Sequence, residues 1–215
     1  AKGPCIDVVT ACATSTNNIG EAFRAIRHGY ADAIIAGGCE GATIPLGIAG
    51  FANAKALSRA EDPKYASLPF NANRGGFVMG DGAGMLALEE AGFDKEKDNM
   101  YINAHGTGTK LNDVAETNAY KLALGDYAYK AHISSIKCMT GHMLGAAGAA
   151  EAIATILALT NGIVPPTINL DTPDPECDLD YTPNTAVKTE LTLGISDSLG
   201  FGGHDACIAF RKYED

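Results

Sequence analysis

Four side chains in this 215-residue sequence could carry covalent chemistry together: Cys12, His105, Lys137 and His142. Cys12 stands in Thr10-Ala11-Cys12-Ala13-Thr14-Ser15, among neighbours small enough to let a substrate reach its sulfur. Residues 5–11 are apolar and β-branched after Gly3-Pro4, which predicts a short buried strand. Ile19, Ala22, Phe23 and Ile26 then fall at helical spacing, so the sequence places Cys12 where a strand gives way to a helix. Free N–H groups and the positive end of the helix dipole at such a junction favour the thiolate over the thiol, a placement that suits a nucleophile. A cysteine can equally serve as a small buried hydrophobe. Cys5, Cys39, Cys138, Cys177 and Cys207 lack this combination of strand end, helix start and small neighbours.

His105 closes the run Tyr101-Ile102-Asn103-Ala104 and precedes Gly106-Thr107-Gly108-Thr109. With so little bulk beside it the imidazole can face a cavity, although a single His at a strand end is as readily structural. Asn112, Asp113 and Glu116 read as capping chemistry for the next helix. Lys137 and His142 lie at the entrance of a second apolar helix that runs on through Glu151, Ile153, Ile156 and Leu159. This junction repeats the one at Cys12 in kind, which implies a duplicated architecture with the site where the halves meet.

The elements that must hold these residues follow from the remaining pattern. Residues 31–38 read as a second buried strand, and a strand–helix–strand unit over 5–38 predicts a parallel sheet. A loop over 37–50 and a short helix over 51–57 come next, and 58–73 is irregular around Pro63 and Pro69. The glycines of residues 75–84 are not followed by the Lys-Ser/Thr of a phosphate loop, so close backbone packing is the expectation there. Strands are expected at 85–88, 189–196 and 206–210, and a charged turn at 94–99. The Pro-rich acidic connection over 165–180 does not match a calcium loop and reads as solvated.

Hydrophobic residues make up 46% of the chain, ample for a core. No cysteine pair has zinc-site spacing, and six cysteines without a framework pattern fit a reduced, cytoplasmic setting. No apolar run of membrane-spanning length is evident, and the longest, 146–159, is interrupted by Gly148, Glu151 and Thr155. A net charge of −10 argues against nucleic acid or an anionic membrane as partner. Residues 1–75 nevertheless carry seven Lys/Arg against six Asp/Glu, so Arg24, Arg27, Lys55, Arg59, Lys64 and Arg74 could make a local basic face.

With these pieces in view the chain resembles the β-ketoacyl-acyl-carrier-protein synthases, most closely the type II elongating enzymes of fatty-acid synthesis. The resemblance rests on the Cys12 segment, Ala104-His105-Gly106-Thr107-Gly108-Thr109, residues 137–148 and Gly200-Phe201-Gly202-Gly203, in family order. It implies a thiolase-like α/β fold, layered α-β-α-β-α with duplicated mixed sheets and only partly represented, divided into a nucleophile-bearing half (1–93) and a His-bearing half (94–215). It implies that Cys12 is acylated from an acyl carrier protein, and that His105 and His142 assist decarboxylation of the malonyl form, with Lys137 tuning them. The N–H groups of Cys12 and Phe201 would form the oxyanion hole, and the Phe201 ring would gate the acyl pocket. No metal or redox cofactor is implied, the substrates being carried on phosphopantetheine, and the family acts as a homodimer. The alternatives are a polyketide-type ketosynthase, a thiolase-like acyltransferase, for which the two His are unsuited, and a truncated carrier-protein-binding subunit. Relative to the family, sequence before Cys12 and between Glu90 and Tyr101 is missing, as expected of an incomplete chain.

Overall fold

The structure, a computed structural model, describes residues 3–88 and 99–212. The charged turn expected at 94–99 and the gap placed between Glu90 and Tyr101 lie largely outside the described residues.

Cys12 sits in a 3₁₀ turn, Ala11–Ala13, that leads straight into α1 (Thr14–Arg27). Ile19, Ala22 and Ile26 of α1 are buried as their spacing predicts, while Phe23 is half-exposed beneath Arg27. The strand expected over residues 5–11 does not form, and Ile6 and Val9 are 75% and 74% exposed. A strand exists only through its neighbours. Here the N–H groups turn to side chains instead, Val8 donating to Asn18 Oδ1 and Thr10 to Thr14 Oγ1. The parallel unit expected over 5–38 therefore fails as well. β1 (Ile34–Glu40) pairs antiparallel with β2 (Gly82–Leu88), from Ile34 opposite Leu88 to Glu40 opposite Gly82. The short helix also begins earlier than expected, as α2 (Pro45–Asn53), because Pro45 presets its first turn.

The second half is built on a mixed sheet of order β4-β3-β7-β8, from β3 (Met100–Asn103), β4 (His132–Ser134), β7 (Leu193–Gly200) and β8 (His204–Arg211). β3 runs parallel to both β4 and β7, and β7 turns back into antiparallel β8 through Phe201. β3 is buried on both faces, as its alternation requires. Met100 and Ile102 pack with Tyr120 of α3 (Lys110–Leu124), while Tyr101 packs with Ala158 and Leu159 of α5 (Ala147–Asn161). A two-stranded ribbon, β5 (Ile163–Val164) with β6 (Val187–Lys188), closes the end of α5.

Ile19 and Ala22 of α1 and Ala152 of α5 share one cluster with Ala36 of β1 and with Ile208 and Phe210 of β8. The two helices thus form a layer between the small sheet and the large one. With α3 beyond the large sheet, four of the five expected thiolase-like layers are present. The outer face of β1–β2 shows Ile35 and Met85 to solvent, with no helix over it among the described residues.

Two further expectations change. The span Leu144–Asn161 is long and apolar enough by composition to cross a membrane, at mean hydropathy 1.3, but 61% of it is buried as the central helix layer. The acidic connection is not simply solvated: Leu170, Cys177, Leu179 and Tyr181 are buried, and the Tyr181 ring stacks on Phe70 at 3.7 Å. Pro173, Pro175 and the acids other than Asp174 lie on the outer side of a segment whose apolar residues cap the core.

Candidate active site

The 3₁₀ turn that presents Cys12 begins with Ala11 in left-handed backbone, φ 49°. A residue with a Cβ holds that conformation only where its surroundings fix it. Ala13 N–H donates to Thr10 O (3.0 Å) and Asn17 Nδ2 to Thr10 Oγ1 (2.8 Å), which brace the turn. A second turn of the same kind, Leu144–Ala146, leads into α5 and begins with Leu144 at φ 46°. The two turns touch. Ser15 Oγ donates to Gly145 O, and Gly145 N–H donates to Glu40 Oε2. This is the duplication expected from the sequence, realised as a shared backbone motif.

A cavity of about 210 Å³ opens at this junction, lined by residues that include Cys12, Phe77, His105, Thr107, Asn112, His142 and Phe201. His105 leaves the end of β3. Its own N–H and that of Gly106 donate to the two oxygens of Glu116, at 2.6 and 2.8 Å. His142 is pinned by a bridge to Met79, with its N–H donating to Val78 O and its carbonyl accepting from Gly80 N–H. The two imidazoles meet edge to face, centroids 5.2 Å apart at 85°, and Phe77 lies edge-on to His142 at 5.0 Å.

Lys137 opens the short helix α4 (Lys137–Thr140) and is buried. Its ammonium pairs with the buried carboxylate of Glu151, from α5, and lies 3.5 Å from His105 Nδ1. An ammonium can only donate, so it faces the lone pair of Nδ1 and leaves the ring proton on Nε2. Burial, then the Lys137 charge, holds both imidazoles well below their usual range, so both are neutral. Neutral imidazole can still donate a hydrogen bond from its protonated nitrogen.

Burial pushes the Cys12 thiol up, not down as a helix start alone predicts. Lys137 and the N–H groups of Phe201 and Cys12 itself act the other way. The resting sulfur is therefore a thiol, and its developing charge faces two peptide donors and a cation. The Phe201 ring is 59% exposed at the mouth, 6.2 Å from Phe51.

All five residues read from the sequence thus converge. Of the supposed basic face, Arg24, Arg27, Lys55, Arg59 and Lys64 are exposed, but Arg74 is not: it is buried against Asp113 (3.3 Å) and Asp174 (2.5 Å). Its guanidinium fork reaches both carboxylates and the Thr109 and Lys110 carbonyls. Three further contributors escaped the sequence reading: Glu116, taken only as capping; Glu151; and Phe77. A lone glutamate in the apolar run 146–159 was the available signal for Glu151, since a buried carboxylate needs a buried cation.

A cysteine on a helix-entry turn, faced by two imidazoles in a layered α/β frame, defines the class: a thiolase-like protein with a Cys–His–His site. Within that class the chain belongs to the β-ketoacyl synthase family. The family models of the N-terminal and C-terminal domains match residues 1–93 and 80–171. The chain is 45% identical to the 3-oxoacyl-[acyl-carrier-protein] synthase 2 of Synechocystis sp. and 41% to that of Staphylococcus aureus, each over all of this chain and 63% of the relative. The chain thus spans less than two thirds of these relatives. The alignment to the Synechocystis protein runs over 261 positions, 46 more than this chain has residues. Among solved structures, a ketosynthase in complex with a type II PKS acyl-carrier protein superposes with TM-score 0.89 at 33% identity, over 96% of this chain and 62% of that one.

Proposed function

We propose that the protein is a condensing enzyme of fatty-acid synthesis, a 3-oxoacyl-[acyl-carrier-protein] synthase that acts in the cytoplasm as a homodimer. The observation that carries this reading is the single cavity lined by Cys12, His105, His142 and Phe201. Cys12 Sγ attacks the thioester carbon of an acyl chain on phosphopantetheine. The carbonyl oxygen becomes an oxyanion held by the N–H groups of Cys12 and Phe201. The C–S bond to pantetheine breaks, and the proton of Cys12 ends on the departing sulfur.

Malonyl-carrier protein then binds, and its C–C bond to the carboxylate breaks with release of carbon dioxide. The electron pair becomes an enolate whose oxygen accepts hydrogen bonds from His105 and His142; two neutral imidazoles suit this, since they donate without protonating the carbon. The enolate carbon attacks the acyl-cysteine carbonyl, the bond to Cys12 Sγ breaks, and the sulfur takes a proton from solvent. The product is a 3-oxoacyl thioester two carbons longer. The chemistry needs no redox cofactor. Acyl carrier protein, being acidic, would dock at the exposed Lys55, Arg59 and Lys64.

The polyketide reading is supported by the 0.89 superposition, but the 45% identity to a fatty-acid enzyme against 33% to the polyketide one favours the former. The test is carbon dioxide release from malonyl-carrier protein by the native protein. His105→Ala and His142→Ala should each lower it by roughly 10²-fold or more. Unchanged release would refute the roles given to both residues.

A further inference from the structure

Beneath His105 lies a polar cluster that the condensation steps do not use. Each oxygen of Glu116 takes two donors: Oε1 the N–H of His105 and the Tyr120 hydroxyl (2.7 Å), Oε2 the N–H of Gly106 and Asn112 Nδ2 (3.2 Å). The Tyr120 hydroxyl also lies 3.1 and 3.0 Å from the two oxygens of Asp197, on β7. One hydroxyl carries one proton, and it cannot serve both carboxylates.

Glu151, on α5, is paired with Lys137, and Asp113, on α3, with Arg74. Asp197 has no cationic partner among the described residues, and Glu116 has only peptide and side-chain dipoles. From β8 the residue opposite Asp197 is Cys207, which carries no positive charge. Among the described residues no cation pairs with Asp197, and a proton is the neutralising partner at hand. Two carboxylates that share a site keep one.

We propose that Asp197 is a positioning residue for His105: its carboxyl and that of Glu116 share one proton, and this proton keeps Glu116 fixed on the peptide N–H groups of His105 and Gly106. The arrangement joins two walls of the cavity. Asp197 belongs to the strand that ends at Gly200, next to Phe201, and Glu116 belongs to the helix that carries the lining residue Asn112. Burial and the Glu116 charge hold the Asp197 carboxyl well above its usual range, so the shared proton is kept to higher pH than an isolated aspartic acid would keep its own. Once it leaves, two negative charges face each other with the single Tyr120 hydroxyl proton between them. Glu116 then turns from the loop, and His105 loses its placement.

The inference deepens the condensing-enzyme reading but is tested without turnover. Hydrogen exchange of the His105 and Gly106 amides is followed in the native protein from neutral to alkaline pH, corrected for intrinsic exchange. In the wild type, protection should fall by about tenfold per pH unit once the shared proton is lost. Asp197→Asn cannot ionise and keeps a donor toward Glu116, so it should retain protection through the same range. Infrared difference spectra should show a protonated-carboxyl band at neutral pH that Asp197→Asn removes. Equal alkaline loss in the wild type and Asp197→Asn, or no such band, would overturn the proposal. If exchange behaves as expected while the protein fails to release carbon dioxide, the condensing-enzyme reading fails and the positioning role stands.

Discussion

Lys137 Nζ stands 3.5 Å from His105 Nδ1 while it is ion-paired to Glu151, so a single buried cation orients an imidazole and balances a carboxylate. The same charge is the largest influence drawing the Cys12 thiol down and also opposes protonation of both His. Lys137→Met should therefore move two kinds of group upward together. Alkylation of Cys12 by iodoacetamide should slow at a given pH, and the His105 and His142 titrations, read by NMR, should shift toward ordinary values. Lys137→Arg keeps the charge and should leave both near wild type.

The neutral imidazoles make stability depend on pH in a defined direction. Both are held well below 6.5 in the fold. Below about pH 6.5 the unfolded chain takes up protons that the folded one refuses, so this stability is complete above that pH and drains away on acidification. Each His accounts for up to ~1.4 kcal/mol per pH unit. Urea denaturation of His142→Gln should show a shallower acid slope than the wild type; an identical slope would mean that His142 charges freely in the fold.

Arg74 is 2% exposed and answers Asp113, itself fully buried. Arg74→Leu leaves that carboxylate without its cation and the turn carbonyls without their donor, and should cost about 3–5 kcal/mol of unfolding free energy. Asp113, pushed up to about 7 by burial even with Arg74 beside it, should rise further, seen as a later titration of its carboxyl.

Gly148 and Gly20 are both helical, and their surroundings differ. A Cβ on Gly148 would collide with Thr16 of α1, whereas one on Gly20 meets nothing within 4 Å. Gly148→Ala should destabilise by about 1–3 kcal/mol, and Gly20→Ala should be neutral or stabilise by up to ~1 kcal/mol. Thermal or chemical unfolding of the two variants gives the comparison.

The sequence made the reactive side chains legible because each sits beside small residues at a change of hydrophobic period, as Cys12 and His142 do. What it concealed were relations that only the folded chain creates. Val9 has the composition of a strand residue, but pairing depends on a neighbouring segment, and no ladder forms there. Arg74 looks like any surface base until Asp113 and Asp174 are brought round it from α3 and the acidic connection. Glu116 has the right place for a capping residue, and its reach back to the His105 peptide follows from tertiary placement, not local spacing. The Cys12 thiol shows the same limit: the helix start is local, whereas the burial that outweighs it is contributed by distant residues.

Ala11 and Leu144 both hold left-handed backbone without glycine's freedom, and each turn lies against the other. Neither conformation is self-supporting, so neither turn can relax alone while its counterpart persists. Heat or denaturant should therefore release the sulfur-bearing loop and the start of the central helix in one cooperative event, and this corner of the molecule would melt as a unit instead of fraying residue by residue.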